Sequence, residues 1–184
     1  LDQQTGVVLD APNLMWKDVS LAAPMAEATG RPVYVENDAN VAALAENRLG
    51  AGRGTSNMMY ITVSTGIGSG LILGGRLYVG ASGGAGELGH VTMLADGPLC
   101  GCGNRGCLES LASGTAIARR AREVAARPGG EGILKAARGD ITAIEASLVA
   151  SAAAAGDAAA AAIMHDAFEY LGIAVANVVN LLNL

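Results

Sequence analysis

The chain has 184 residues, a formal net charge of −5 and 51% hydrophobic residues. That suffices for a sizeable core, and the length fits one large domain or one domain plus part of another. The 12 basic residues are scattered, and Arg119, Arg120 and Arg122 read as the solvated side of one helix, which argues against nucleic acid as a partner of this segment.

With one Trp and one Phe against 26 Gly, the core has to be built from Ala, Val, Leu and Ile. The chain opens on Leu1 without a secretory signal and stops inside an apolar run, so both ends are expected to be cut. Its longest uncharged apolar stretch, residues 171–184, carries Asn177, Asn180 and Asn183 and is shorter than the roughly 18 residues of a membrane span.

In chain order, residues 7–9 and 33–35 are short β-branched runs bounded by Gly, Pro and Asn, and are predicted as strands. Residues 22–29 between them predict a helix stopped by Gly30. Val41, Leu44, Ala45 and Leu49 keep helical spacing over residues 39–49, with Asn37 or Asp38 as the N-cap and Gly50 as the stop. Strands are predicted at 58–63, 70–73 and 77–79, the last two joined by a Gly74-Gly75 hairpin turn. Residues 80–106 form a glycine-rich loop too long to be idle in a compact domain. Helices are then expected at 108–126, 132–137, 141–155 and 157–182, the last capped by Asp157. The layout is α/β with a mixed sheet.

The three cysteines occur as Cys100-Gly-Cys102-Gly-Asn-Arg-Gly-Cys107. Gly101, Gly103 and Gly106 give the backbone freedom to turn three thiolates toward one point. A structural zinc takes four Cys or His ligands, and His90, ten residues upstream, supplies the fourth; His165 falls in mid-helix. The competing reading, buried thiols or one disulfide, fits an odd cysteine count in a chain without secretory features less well. A filled Cys3His set leaves no position for a catalytic water. Glu87 and Glu109 flank the ligands, and carboxylates on rigid supports suit a polyhydroxyl ligand. Glu109 also fits a simple helix N-terminal charge.

Ser64-Thr65-Gly66-Ile67-Gly68-Ser69-Gly70 joins two strands. It can present N–H groups and hydroxyls to a phosphate, or it can be a plain glycine-rich hairpin, since it lacks the Lys of a P-loop and no helix follows it. Asp38 ends a predicted extended run and starts a helix, where α/β proteins collect chemistry. It is a candidate general base, although local pattern alone favours a helix cap.

Taken together, the segments Ala11-Pro12-Asn13-Leu14, Glu36 to Asn40, Thr65 to Gly70, Glu87-Leu-Gly-His90 and Cys100 to Glu109 resemble the ROK family of bacterial sugar kinases and sugar-responsive repressors. The resemblance implies an actin-like ATPase (ribonuclease H-like) fold, with residues 1–36 as the end of a small α/β domain and hinge and residues 37–184 as most of the large domain. It implies a cytoplasmic, glucokinase-like hexose kinase using ATP with Mg²⁺, not bound to a membrane, and forming a dimer or tetramer. Asp38 would take the proton of the attacking hydroxyl. Asn37, Glu87, His90 and Glu109 would hold the sugar, glucose foremost, and Thr65, Gly66, Gly68 and Gly70 would form a phosphate-binding turn. The zinc held by His90, Cys100, Cys102 and Cys107 would be structural. The alternative within the family is a sugar-sensing repressor with its DNA-binding domain upstream; Glu36-Asn37-Asp38 is similar to the kinases. The family's Asp-x-Gly-Gly-Thr turn and Gly-Gly adenosine segment do not occur in this chain, so residues 1–184 alone are expected to phosphorylate sugar poorly.

Overall fold

The computed structural model describes residues 1–11 and 14–184; Pro12 and Asn13 of the Ala11–Leu14 segment lie outside the described residues. The chain divides into two compact units, Leu1–Tyr60 with Ser69–Gly86, and Ile61–Gly68 with Glu87–Leu184.

In the first unit, β1 (Val7–Ala11) and β2 (Trp16–Ser20) form an antiparallel hairpin in which Val8 faces Val19 and Ala11 faces Trp16. Helix α1 (Ala22–Thr29) ends as expected at Gly30, which takes a left-handed φ of 64°. Residues 33–35, expected as a strand, carry no strand pairing among the described residues. Their β-branched side chains supply propensity, but a strand also needs a partner edge. Helix α2 (Asp38–Leu49) buries Ala39, Asn40, Ala43 and Asn47 on one face. The Asn47 amide donates to the carbonyls of Thr55 at 3.0 Å and Gly52 at 3.3 Å, tying down the loop after the helix.

The strands β3 (Met58–Val63), β4 (Ile67–Leu73) and β5 (Arg76–Tyr78) form one sheet in that order, with Leu71 opposite Tyr78 and Leu73 opposite Arg76. Gly74 and Gly75 have φ of 58° and 75°, the double positive φ of the tight hairpin turn the dipeptide predicts. Gly70 is buried in β4, where an added Cβ would stand 2.8 Å from the Ala39 carbonyl oxygen and 2.7 Å from the Ala43 Cβ. Close approach of β4 to α2 is what requires glycine there.

The second unit holds α3 (Leu108–Ala112), α4 (Gly114–Ala125), α5 (Glu131–Ala136), α6 (Ala146–Ala154) and α7 (Ala158–Leu182). The continuous helix expected over 108–126 is broken at Ser113, whose extended backbone (ψ 163°) lets its hydroxyl accept from the Ala116 N–H at 3.1 Å. The break lets Gly114 donate to the Ser64 carbonyl at 2.7 Å, an approach that a Cβ would crowd. The helix expected from 141 likewise opens with a separate 3-10 turn, Ile141–Ala143, before α6.

Helix α7 begins under the predicted cap, with Asp157 Oδ1 accepting from the Ala160 N–H at 2.8 Å. By length and composition α7 is sufficient to cross a membrane. Its Ala160, Ile163, Ala167 and Ala174 are buried, and α3, α4 and α6 pack against it. The interior is made of small and branched aliphatics, with Leu108, Ile133, Ile144 and Val149 fully enclosed and no aromatic ring among the described buried residues.

Candidate functional site

The glycine-rich loop is organised by its own backbone. Met93 N–H donates to the Gly106 carbonyl, Gly106 N–H to that of Pro98, and Cys100 N–H to that of Asn104, each at 2.8 Å. Gly103 and Gly106 adopt φ of 90° and 65°, and a side chain on Gly106 would run into the Leu94 carbonyl. Two of the three glycines between the cysteines are therefore required by backbone geometry.

The fold brings His90, Cys100, Cys102 and Cys107 together, with one donor atom from each lying within 4.8 Å of all the others. His90 Nδ1 is 3.7 Å from Cys100 Sγ, and Cys102 Sγ is 3.7 Å from Cys107 Sγ. Zinc bonds of about 2.3 Å to sulfur and about 2.0 Å to nitrogen imply a sulfur–sulfur edge of about 3.8 Å and a sulfur–nitrogen edge of about 3.5 Å in a tetrahedron. The donor set fits a tetrahedral cation before any ion is placed in it. All three cysteines are free of disulfides. Burial pushes the Cys107 thiol up to about 12, whereas the Asn104 backbone N–H lowers that of Cys102. A second cluster of donors, His165, Asp166 and Glu169 on α7, is exposed or half-buried, and its Asp166 is held by Arg120 at 2.6 Å.

Two carboxylates lie next to these donors in the chain, Glu87 three residues before His90 and Glu109 two residues after Cys107. Glu87 is exposed and precedes the 3-10 turn Leu88–His90, whose closing His90 N–H donates to the Glu87 carbonyl at 3.0 Å. Glu109 is half-buried in the first turn of α3, and its Oε2 accepts from the Ile67 N–H at 2.9 Å. Glu109 thereby reaches the Ser64–Gly66 turn, which sequence spacing gave no reason to expect.

That turn is held from its other side as well. Besides the Gly114 bond, Thr115 Oγ1 donates to the Thr65 carbonyl at 2.7 Å. Thr65 is exposed, and Gly66 and Gly68 are half-buried beside it; Gly70 is directed to α2 instead, as described above. Next to Ser64 and Thr65 opens a largely apolar cavity of about 530 Å³, whose lining includes Thr115, Ile117, Arg122 and Phe168.

Asn37 and Asp38 belong to the first unit. Of the two candidate caps, Asn37 performs the capping: its Oδ1 accepts from the N–H groups of Ala39 at 2.9 Å and Asn40 at 3.2 Å. Among the described residues, Asp38 Oδ1 accepts from its neighbouring Ala39 N–H at 2.8 Å, and its side chain is exposed. Glu36, which local pattern did not single out for chemistry, is the hub of this corner. Its Oε1 accepts from the Asn37 N–H at 2.8 Å and the Asn40 amide at 3.0 Å, while Gln3 bonds Oε2.

The glucokinase of Halalkalibacterium halodurans is 42% identical over 185 residues, covering 100% of this chain and 56% of that protein. A ROK family glucokinase from Streptomyces griseus, solved in complex with glucose and AMPPNP, superposes with a TM-score of 0.84 at 39% identity, covering 98% of this chain and 58% of that one. The xylose repressor of Caldicellulosiruptor bescii is 34% identical over 183 residues, 100% of this chain and 45% of that protein. The chain thus spans about half the length of the relatives it matches. Its fold is that of the ROK sugar kinases, the actin-like ATPase fold. The ROK family profile matches residues 1–184, and the chain belongs to the ROK family.

Proposed function

We propose that the protein is an ATP-dependent hexose kinase of the glucokinase type. The observation that carries this reading is the division of labour at the start of α2. Asn37 takes the capping role, so the exposed Asp38 carboxylate is left for other work. A carboxylate is ionised at neutral pH and can accept a proton.

In this reading, Asp38 takes the proton from a hexose hydroxyl as its oxygen bonds to the γ-phosphorus of ATP. The bond from that phosphorus to the bridging oxygen breaks, ADP leaves, and Mg²⁺ neutralises the phosphate oxygens. Asn37, Glu87, His90 and Glu109 hold the sugar. With His90 Nδ1 turned to the cysteines, its Nε2 remains for a sugar hydroxyl. Since Asn37 Oδ1 is engaged in capping, its Nδ2 remains as a donor. His90, Cys100, Cys102 and Cys107 hold a structural zinc that keeps the first and last of these segments in place. Thr65, Gly66 and Gly68 face the nucleotide phosphates, and the cavity beside Ser64 and Thr65 seats the nucleoside. Gly70 serves that turn indirectly, by its packing in β4.

We place the protein in the cytoplasm as a dimer or tetramer, with glucose as the foremost sugar. Residues 1–184 alone turn over poorly, because two nucleotide-contacting segments implied by the family pattern are not among them. The second reading, a sugar-sensing repressor, is supported by the 34% identity to the xylose repressor across the whole chain. Glu36-Asn37-Asp38 favours the kinase. Coupled ADP release by the intact protein across several hexoses tests the choice. Hexose-dependent release supports the kinase; sugar binding without release, together with operator binding by an upstream helix-turn-helix, supports the repressor.

A further inference from the structure

We infer that Glu109 is a positioning residue for the phosphate-facing turn, in addition to its proposed contact with the sugar. This inference rests on the kinase reading above and deepens it. The Glu109 Oε2 to Ile67 N–H bond spans 42 positions of sequence and is partly buried, so it is maintained by the fold rather than by local chain geometry. An added Cβ on Gly66 would collide with the same carboxylate, which means the carboxylate lies flush on the turn and glycine is what admits it.

The supports of Ile67 come from segments that carry metal ligands. Glu109 is two residues beyond Cys107, which is fully buried, and Leu108 between them donates to the Val91 carbonyl at 3.0 Å. Gly89, the residue before His90, sits so close against the Ile67 carbonyl that a Cβ there would collide with it. The N–H of Ile67 is thus held from the Cys107 side, and its carbonyl is backed from the His90 side. Thr115 and Gly114 fix the preceding residues, Thr65 and Ser64. One Glu109 oxygen holds the turn, and Oε1 remains for a sugar hydroxyl. A single carboxylate then joins the sugar subsite to the phosphate turn, so the occupancy of one alters affinity at the other, reciprocally.

The test compares Glu109→Gln with Glu109→Ala in the intact protein. The amide oxygen of Gln can still accept from Ile67 but lacks the charge; Ala removes both functions. Two readouts are taken: KM for ATP and for hexose, and hydrogen exchange of the Ile67 amide under selective ¹⁵N-isoleucine labelling. Zinc content and thermal melting establish that each variant is folded. The expected result is a raised hexose KM in both variants, with KM for ATP rising about tenfold or more in Glu109→Ala alone, as loss of a hydrogen bond to a charged group implies. Ile67 amide protection should fall in Glu109→Ala and persist in Glu109→Gln. If KM for ATP and Ile67 protection are unchanged in Glu109→Ala, or if KM for ATP rises and Ile67 protection falls equally in both variants, the positioning role is overturned. The amide readout needs no turnover. An inactive wild-type protein with a protected Ile67 amide lost in Glu109→Ala would overturn the kinase reading while leaving the link between Glu109 and the turn standing. Should Glu109→Ala fail to fold, Glu109→Asp, too short to reach Ile67, replaces it with the same expectations.

Discussion

The Nδ1 atom of His90 and the Sγ atom of Cys100 lie 3.7 Å apart, ten positions from one another in sequence. That separation is close to the sulfur–nitrogen edge of a tetrahedral zinc site. In this arrangement Nδ1 is the ring nitrogen that faces Cys100. Glu87 lies three residues before the first donor and Glu109 two residues after the last.

The protein should contain one zinc per chain as purified, measured by inductively coupled plasma mass spectrometry. Cys102→Ser should lose the metal and raise hexose KM steeply, because His90 and Glu109 lose their common support. Loss of zinc with an unchanged hexose KM would reduce the metal to a structural staple remote from sugar binding.

Asp38→Asn should lower kcat by about 10²- to 10⁴-fold, the usual contribution of a general base, with little change in melting temperature. The cap belongs to Asn37, so Asn37→Ala should instead destabilise the protein by about 1 kcal/mol. Urea denaturation of the two variants beside their kinetics separates the roles. A large stability loss in Asp38→Asn would contradict this division.

Gly70→Ala should destabilise by about 1–3 kcal/mol, the cost of forcing a methyl group into a filled space. The space beside Gly70 is filled by the backbone and Ala43 side chain of α2, neither of which can swing aside. A variant as stable as the parent in chemical denaturation would show that β4 and α2 are less closely apposed.

Asp157→Ala should cost about 1 kcal/mol through loss of the N-cap of α7, because its Oδ1 accepts from the Ala160 N–H at 2.8 Å. Asp157→Asn or Asp157→Ser should recover most of it. Denaturant midpoints that do not distinguish Ala from Asn would count against capping as the role of Asp157.

Features encoded within a few residues were legible in the sequence. The convergence of four donor side chains needed only three cysteines in eight positions and one histidine nearby, and α1 and α7 were marked by Gly30 and Asp157. The β2 strand was not legible: Trp16-Lys-Asp-Val-Ser has weak alternation, and Asp18 takes a φ of 53°. Its strand character comes from pairing with β1. The break at Ser113 was hidden for a similar reason, since the Leu108–Ala126 run is helical by local pattern and only the approach of Gly114 to Ser64 interrupts it. The bond between Glu109 and Ile67 joins residues 42 positions apart, beyond the reach of any spacing rule. Asn37 and Asp38 were indistinguishable as caps until their hydrogen bonds could be compared.

The most direct test of the central proposal is coupled ADP release by the intact protein, with and without glucose, in the parent and in Asp38→Asn. The account predicts glucose-dependent release by the parent and its near loss in Asp38→Asn at unchanged zinc content. No hexose-dependent release by the parent, or an undiminished rate in Asp38→Asn, would contradict it.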